Sequence, residues 1–187
     1  PKLSMRRTQG GGLSSFERWA LRELTLDHKD LFAAPSWGRG VGGLVLFSHE
    51  QNPVAELKHL LRTSDASVEV VAILQGEPSV SSMRSSIGSE ITAAEVLDTS
   101  EGLWLGRLSL VKVTLTGRRS GGGGLESADK DVRRWAAGLG HPVLGNGRLC
   151  ARAACVSRTY LAVVGLRLDT IHAEVPVPPS FHTLLQK

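Results

Sequence analysis

The apolar residues of this chain fall into several short runs, and the clearest of them predicts a buried strand. Residues 68–74, Val-Glu-Val-Val-Ala-Ile-Leu, are rich in β-branched side chains, and Gly76 and Pro78 follow them as breakers. Other short apolar runs, one of which alternates with polar residues, predict further strands. They lie at 44–47, 91–97, 103–115 and 159–168.

Helical spacing of apolar residues occurs in three places, which predicts helices near 14–25, from Asn52 onwards and near 129–138. The first opens with the Ser-x-x-Glu spacing of a capping box, and the second opens on an Asn-Pro pair. A Pro-rich tail follows the last strand. Because strands predominate and long β-α-β repeats do not occur, we predict an α+β fold with a mixed, largely antiparallel sheet flanked by helices.

Composition narrows the class of protein. The chain has 187 residues, enough for one domain core, and its 41% hydrophobic and 21% charged residues are ordinary values for a globular domain. No apolar run reaches the roughly 18 residues that a membrane helix needs. The two cysteines have no partners at ligand spacing, so we expect neither a zinc site nor a disulfide scaffold. We predict one folded domain over residues 14–187.

Basic residues are unevenly distributed along the chain, and their distribution bears on the cellular location of the protein. Lys2, Arg6 and Arg7 precede the first acidic residue, Glu17, in a segment that is otherwise polar. Such a segment is typical either of the trimmed end of an organelle transit peptide or of a flexible arm. We therefore predict a flexible basic arm at 1–13 and a mitochondrial, otherwise cytoplasmic, location.

A run of four glycines, residues 121–124, follows Arg118 and Arg119. Glycine loses more backbone freedom on folding than any other residue, so such a run does not hold a regular element. We predict an insertion or flexible loop at 119–128. The net charge of +4 permits binding to nucleic acid without requiring it.

Several segments carry a family resemblance when they are read in chain order. The most distinctive is 131–146, Asp-Val-Arg-Arg-Trp-Ala-Ala-Gly-Leu-Gly-His-Pro-Val-Leu-Gly-Asn, and a strand with a Thr-Gly-Arg turn at 109–118 precedes it. The others are the run 43–48, the strand 70–76 and the Pro-rich tail 175–185. Together they resemble the RluA-type pseudouridine synthase family, whose corresponding motif reads Q-I-R-x-H-L-A-x-x-G-H-P-I-x-G-D.

The resemblance implies a pseudouridine-synthase-like domain with RNA as its partner and with no cofactor. In the family, the aspartate of an H-R-L-D loop is the carboxylate that drives the reaction. Those four positions fall on residues 35–38, Pro-Ser-Trp-Gly, so Gly38 stands where the family has its nucleophile. Asp27 and Asp30 are the nearest acids upstream, and they lie too far back to be the same residue.

Three more positions of the family's site have changed. The base-stacking tyrosine falls on Val70, the lysine of the same strand on Val68, and the histidine of the R-x-H motif on Trp135. Arg133 does match, and in the family that arginine pairs with the catalytic carboxylate. Because an uncompensated buried cation is strongly destabilising, we expect Arg133 to be paired elsewhere, solvated or bound to phosphate.

We therefore predict a catalytically inactive pseudouridine-synthase-like protein that binds structured RNA, as a ribosomal subunit or ribosome assembly factor. Its predicted partners are rRNA and ribosomal or assembly-factor proteins, with no membrane contact. No catalytic residue, cofactor or metal ligand is assigned. Arginine presents a planar fork of donors that fits phosphate, so the RNA contacts are assigned to arginines. They are Arg118, Arg119, Arg133, Arg134 and Arg148.

Other interpretations of the same residues stay open. Arg134 also suits a solvated helix face, and the arginines of the glycine-rich loop suit a loop tip. Trp37 and Trp135 could stack on bases, although helical spacing favours the core for Trp135. His141 is most simply a turn residue. The alternative functions are a protein-interaction subunit of a large complex without RNA contact, and an active RNA uridine isomerase that uses another acid.

Overall fold

The computed structural model divides the chain into two compact units. The first comprises Pro1–Ser36 and Val45–Leu60, and the second comprises Trp37–Leu44 and Leu61–Lys187. Within them the structure describes residues 32–34, 37–38, 40–48, 56–57, 59–62, 66–87, 91–102, 105–117, 124–146, 156, 158–169 and 171–186. The predicted arm at 1–13 and the predicted helix near 14–25 lie outside the described residues.

The described residues form eight strands. They are β1 (Phe32–Ala34), β2 (Val41–Gly43), β3 (Leu46–Ser48), β4 (Ser67–Gln75), β5 (Ile91–Gly102), β6 (Gly106–Thr116), β7 (Leu161–Leu168) and β8 (Ile171–Glu174). In the first unit, β1 pairs antiparallel with β3. In the second unit the strand order is β2-β7-β4-β6-β5, and β8 also pairs with β7. Among these strands only β2 and β7 pair in parallel, so the sheet is mixed and largely antiparallel, as predicted.

The strands predicted at 68–74, 91–97, 103–115 and 159–168 are confirmed as β4, β5, β6 and β7, with shifted ends. The apolar run at 44–47 differs, because Leu44 and Val45 lie outside the strands and its second half belongs to β3. Leu44 is nevertheless buried, and its N–H donates to Val163 O at 2.8 Å. Part of the apolar pattern that predicts a strand at 44–47 thus comes from Leu44, a buried loop residue.

Three helices and one 3-10 turn have described bounds. They are α1 (Val80–Ser85), the 3-10 turn (Leu125–Ser127), α2 (Ala128–Gly138) and α3 (Pro179–Leu185). Helix α2 confirms the helix predicted near 129–138, and residues 56, 57, 59 and 60 are helical, as predicted for the segment after Asn52. The sequence pattern does not predict α1, α3 or β8. Helix α1 is short and rich in serine, and the Ser79 side chain caps it by accepting from the Ser82 N–H at 3.1 Å.

The loop predicted at 119–128 is wrong for its last residues. Leu125–Ser127 form the 3-10 turn, and Ala128 begins α2. Leu125 and Ala128 are fully buried, and the Leu125 N–H donates to Leu61 O at 3.0 Å. The apolar anchor directly behind the glycines therefore ends the irregular segment earlier than composition suggests, while 118–123 lie outside the described residues.

Strand β4 lies at the centre of the sheet, between β6 and β7. Its residues 70–74 are all fully buried, because strands flank both edges and side chains cover both faces. This position explains why the sequence shows a continuous apolar run here instead of alternation. One core cluster consists of Val71, Ile73, Leu108, Leu110, Leu144, Ala162, Val164, Phe181 and Leu185. In the described part of the chain, every helix is too short or too polar to cross a membrane.

Strand β5 forms one edge of the sheet, and its ladder with β6 is interrupted twice. The register shifts between Ile91 and Ala93 and again between Val96 and Asp98. An irregularity of this kind breaks the ladder and increases the local twist of a strand. Among the described strands, β5 pairs with β6 alone.

Candidate functional site

Helix α2 sets the positions of the charged residues at the candidate site. Val132 and Ala136 are fully buried and four residues apart, so this face of the helix packs inward. Asp129 and Arg133 have the same i,i+4 spacing, which makes their side chains neighbours on the helix surface. Asp129 and Asp131 lie in the first turn, where the partial positive charge of the helix N-terminus favours acidic side chains.

The loop that leads into β2 carries Gly38, and several hydrogen bonds hold it in the second unit. The Val41 N–H donates to Gly38 O at 3.2 Å, which closes a tight turn. Trp37 Nε1 donates to Leu44 O at 2.8 Å, and Leu44 is itself bonded to β7. Gly38 is therefore held at a defined place beside the sheet.

Gly38 and Asp129 meet at this site. A Cβ atom built on Gly38 would overlap Asp129 Oδ2 and lie 3.4 Å from its Cγ. The backbone of Gly38 also forms a hydrogen bond with the Asp129 carboxylate. The φ angle of Gly38 is outside the left-handed region that favours glycine. Position 38 therefore requires glycine for lack of space and not because of its backbone conformation. The Asp129 carboxylate already occupies the volume that a side chain of residue 38 would need.

Arg133 has an ionic partner within its own helix. Arg133 Nε lies 3.8 Å from Asp129 Oδ2, and the two side chains are 18% and 3% exposed. Of the outcomes expected for Arg133, pairing elsewhere is the one observed. The acids considered from the sequence, Asp27 and Asp30, lie outside the described residues, and Asp129 was not predicted as the partner. The i,i+4 spacing inside a predicted helix was the signal that could have identified it.

Burial raises the pKa of Asp129 above its ordinary value, because the charged carboxylate loses its contact with water. The charge of Arg133, the hydrogen bond from the Gly38 backbone and the charge of Lys130 lower the pKa and do not offset the burial. Asp129 Oδ1 is buried and accepts no hydrogen bond from the described residues. The carboxylate is thus held in surroundings that disfavour its charged form.

Replacing Asp129 by asparagine is expected to remove one component of the pH dependence of stability. The folded state retains this proton to higher pH than the unfolded chain, whose pKa here is 3.8, so the contribution to stability falls as pH rises above 3.8 and levels off above the folded pKa. We expect the Tm of the natural protein minus that of Asp129→Asn to decrease over this window. Thermal unfolding at closely spaced pH values measures it. A difference that increases with pH would show that the Arg133 charge outweighs the burial.

The arginines predicted to contact RNA differ in their exposure and in whether the structure describes them. Arg118, Arg119 and Arg148 lie outside the described residues. Arg134 lies on α2 with its side chain 72% exposed, and its Nη1 is 3.4 Å from Asp131 Oδ1. Arg133 is mostly covered and lies against Asp129. The structure thus places Arg134 toward solvent and Arg133 at the candidate site.

The other changed positions of the site are apolar or hydrogen-bonded. Val68 and Val70 are fully buried in β4. Trp135 is half-buried, and its Nε1 donates to Ser86 Oγ at 2.6 Å, which ties α2 to the end of α1 and agrees with a structural role. The ring Nδ1 of His141 lies 2.9 Å from the carbonyl oxygen of the last residue of β4, which agrees with a structural role for His141 directly after the turn at 139–140.

Charged groups away from α2 pair with one another on the sheet. Lys112 Nζ lies 3.3 Å from Glu69 Oε2, and the exposed Arg107 bridges Glu77 and Glu101. Exposed pairs of this kind contribute little to stability. No three His, Cys, Asp or Glu side chains of the described segments come together in a group that could hold a metal ion.

Comparison with known proteins gives a match at the level of structure. No protein-family model matches the sequence, and no curated protein sequence matches it. Among solved structures, the chain is similar to the human RNA pseudouridylate synthase domain-containing protein 1, with a TM-score of 0.56 and 18% sequence identity. The similarity covers 79% of this chain and 69% of that chain. The chain thus has a pseudouridine-synthase-like α+β fold.

Proposed function

We propose that this chain binds structured RNA without isomerising uridine, and that it serves as a ribosomal subunit or ribosome assembly factor in the mitochondrion. Its partners in this proposal are rRNA and ribosomal or assembly-factor proteins. The observation that carries the proposal is the arrangement of Gly38, Asp129 and Arg133, in which a buried carboxylate fills the position of the expected nucleophile.

The loss of catalysis follows from what the reaction needs. A carboxylate that attacks or deprotonates a nucleotide must come within about 3 Å of the reacting atom. Gly38 has no side chain to offer, and Asp129 is only 2% exposed. The residues at the tyrosine and lysine positions, Val70 and Val68, have no exposed surface at all. A uridine therefore has neither an accessible acid nor a stacking partner among these residues.

The fold and the exposed charge support RNA as the ligand. The structural neighbour is named for an RNA pseudouridylate synthase domain, and the two proteins share their fold. On α2, Lys130 is exposed and the Arg134 side chain is 72% exposed, so both can reach a phosphate backbone. Each phosphate that a protein neutralises releases counterions, and binding then weakens as salt increases.

We expect the affinity of the purified chain for structured rRNA fragments to fall steeply with salt, and Arg134→Gln to make that slope shallower by about 0.9 for one lost phosphate contact. Filter binding over a salt series measures both quantities. Arg107→Gln is the matched control, because Arg107 is also an exposed arginine paired with acidic side chains but lies on β6 instead of α2. Affinity that stays flat from low to moderate salt would contradict the proposal.

Active uridine isomerisation is the second candidate, because Asp129 lies against Arg133, as a catalytic acid of the family would. Incubating the chain with RNA labelled with tritium at uridine C5 and measuring tritium release decides between the two. We expect no release above a protein-free control. Release that Asp129→Asn abolishes would overturn the proposed function and assign the acid.

A role in protein interaction has its own supporting observation. Val80, the first residue of α1, and Ile87, two residues after its end, are 58% and 39% exposed, so both offer apolar surface to a protein partner. A tagged chain that co-purifies stoichiometrically with proteins and ignores RNA would favour this function over the first.

A further inference from the structure

We propose that Asp129 is a substitute carboxylate, which occupies from helix α2 the place beside Arg133 that a side chain of residue 38 would take. The inference goes beyond the proposed function, because it makes a side chain at position 38 and the Asp129 side chain alternatives for one place and predicts that the two positions are energetically coupled. It assigns Asp129 as a positioning residue for Arg133.

The argument from space begins at Gly38. Its backbone conformation accepts any residue, so a larger side chain is excluded only by what lies around it. The nearest obstacle to a Cβ atom is Asp129 Oδ2, followed by the other atoms of the same carboxylate. All three nearest atoms thus belong to one side chain. Residue 38 and residue 129 cannot both carry a side chain in these positions.

The argument from charge begins at Arg133. Its side chain is only 18% exposed, and an arginine in such a place needs a nearby anion. Asp129 supplies one such anion, although its own burial disfavours the charged form. The neighbouring pair Asp131–Arg134 shows the contrast, because Arg134 is 72% exposed and solvent stabilises its charge. The pair Asp129–Arg133 therefore differs from the pair Asp131–Arg134 in that both of its side chains are largely covered.

The two arguments together predict that positions 38 and 129 are energetically coupled. Gly38→Asp in the natural protein places two carboxylates in one space, and we expect it to lower the Tm by at least about 6 °C. In an Asp129→Ala background the space is empty, and the same substitution is expected to change the Tm by less than about 2 °C or to raise it. Gly38→Ala, which adds only the Cβ atom, gives the same comparison if Gly38→Asp does not fold.

Gly138→Ala is the matched control. Gly138 is the last residue of α2, and a Cβ atom built on it meets nothing within 4 Å. Its effect on Tm is therefore expected to be the same in both backgrounds. Equal costs of Gly38→Asp in both backgrounds would overturn the proposal, since Asp129 would then not be what excludes a side chain at 38.

A second comparison tests the charge separately from the space. In the Asp129→Ala background, Gly38→Asp is expected to give a higher Tm at neutral pH than Gly38→Asn, and Arg133→Met is expected to abolish that difference. Lowering the pH until the carboxylate introduced at position 38 is protonated should abolish it as well. Equal Tm values for Gly38→Asn and Gly38→Asp would show that a side chain at position 38 can occupy the space of Asp129 without taking over its charge. The proposal would then fail. These measurements use no RNA, so their failure is distinguishable from failure of the proposed function.

Discussion

Alanine at position 43 is expected to detach β2 from the sheet. Gly43 has a left-handed φ of 92°, and a Cβ atom there would overlap the carbonyl oxygen of Val163 and lie 2.9 Å from its C and N atoms. These are backbone atoms of β7, which cannot move aside without breaking the ladder with β4. Strain and overlap together are expected to reduce the free energy of unfolding by about 3 kcal/mol or more.

Urea denaturation measures this loss, and hydrogen exchange locates it. The Leu44 amide, which donates to Val163 O, is expected to lose its protection first. Gly42→Ala is the matched control, because its Cβ atom would lie 3.8 Å from the Ala162 Cβ, an ordinary contact distance. The control is expected to change stability by no more than about 0.5 kcal/mol. If both variants behave alike, β2 is not seated as described.

Truncating Leu110 to alanine is the second change with a large expected effect. Leu110 is 1% exposed and pairs in register with Ile73 of β4. It belongs to the core cluster that joins the sheet to α3, so truncation leaves a cavity that rigid neighbours on several elements cannot fill. Leu-to-Ala changes of this kind reduce the free energy of unfolding by about 2 to 5 kcal/mol.

Leu97→Ala is the control that distinguishes the effect of a buried cavity from the effect of the leucine-to-alanine change itself. Leu97 lies on β5 with 44% of its surface exposed, so its truncation is expected to reduce stability by less than about 1 kcal/mol. Chemical denaturation of both variants, fitted with one common dependence of the free energy of unfolding on denaturant concentration, provides the comparison. An equal loss for both variants would contradict the assignment of Leu110 to the core.

The sequence pattern predicts the strands well where burial is continuous. Residues 68–74 form an apolar run because β4 is central and covered on both faces, and the structure places a strand there. Local capping and tertiary contacts decide the elements that it misses. Helix α1 depends on serine caps, and α3 begins at Pro179 with Pro178 as its N-cap. Neither element has an apolar period long enough to detect.

The candidate site could be predicted in part. Reading position 38 as an empty nucleophile position is compatible with the structure, but the sequence alone does not show what fills it. Asp129 and Gly38 are far apart in the chain, and only the packing of α2 against the loop brings them together. The pairing of Asp129 with Arg133, by contrast, is local and follows from helical spacing.

The interruptions in β5 bear on how the protein behaves at high concentration. An exposed sheet edge is a template on which a second chain can add a strand, which leads to aggregation. The two register shifts divide the regular pairing of β5 into two short stretches, Ala93–Val96 and Asp98–Gly102. An incoming strand would meet an irregular backbone on either side of the first stretch, and Glu95 places an acidic side chain within it. The interruptions thus make the β5 edge a poorer template for the addition of a strand from a second chain.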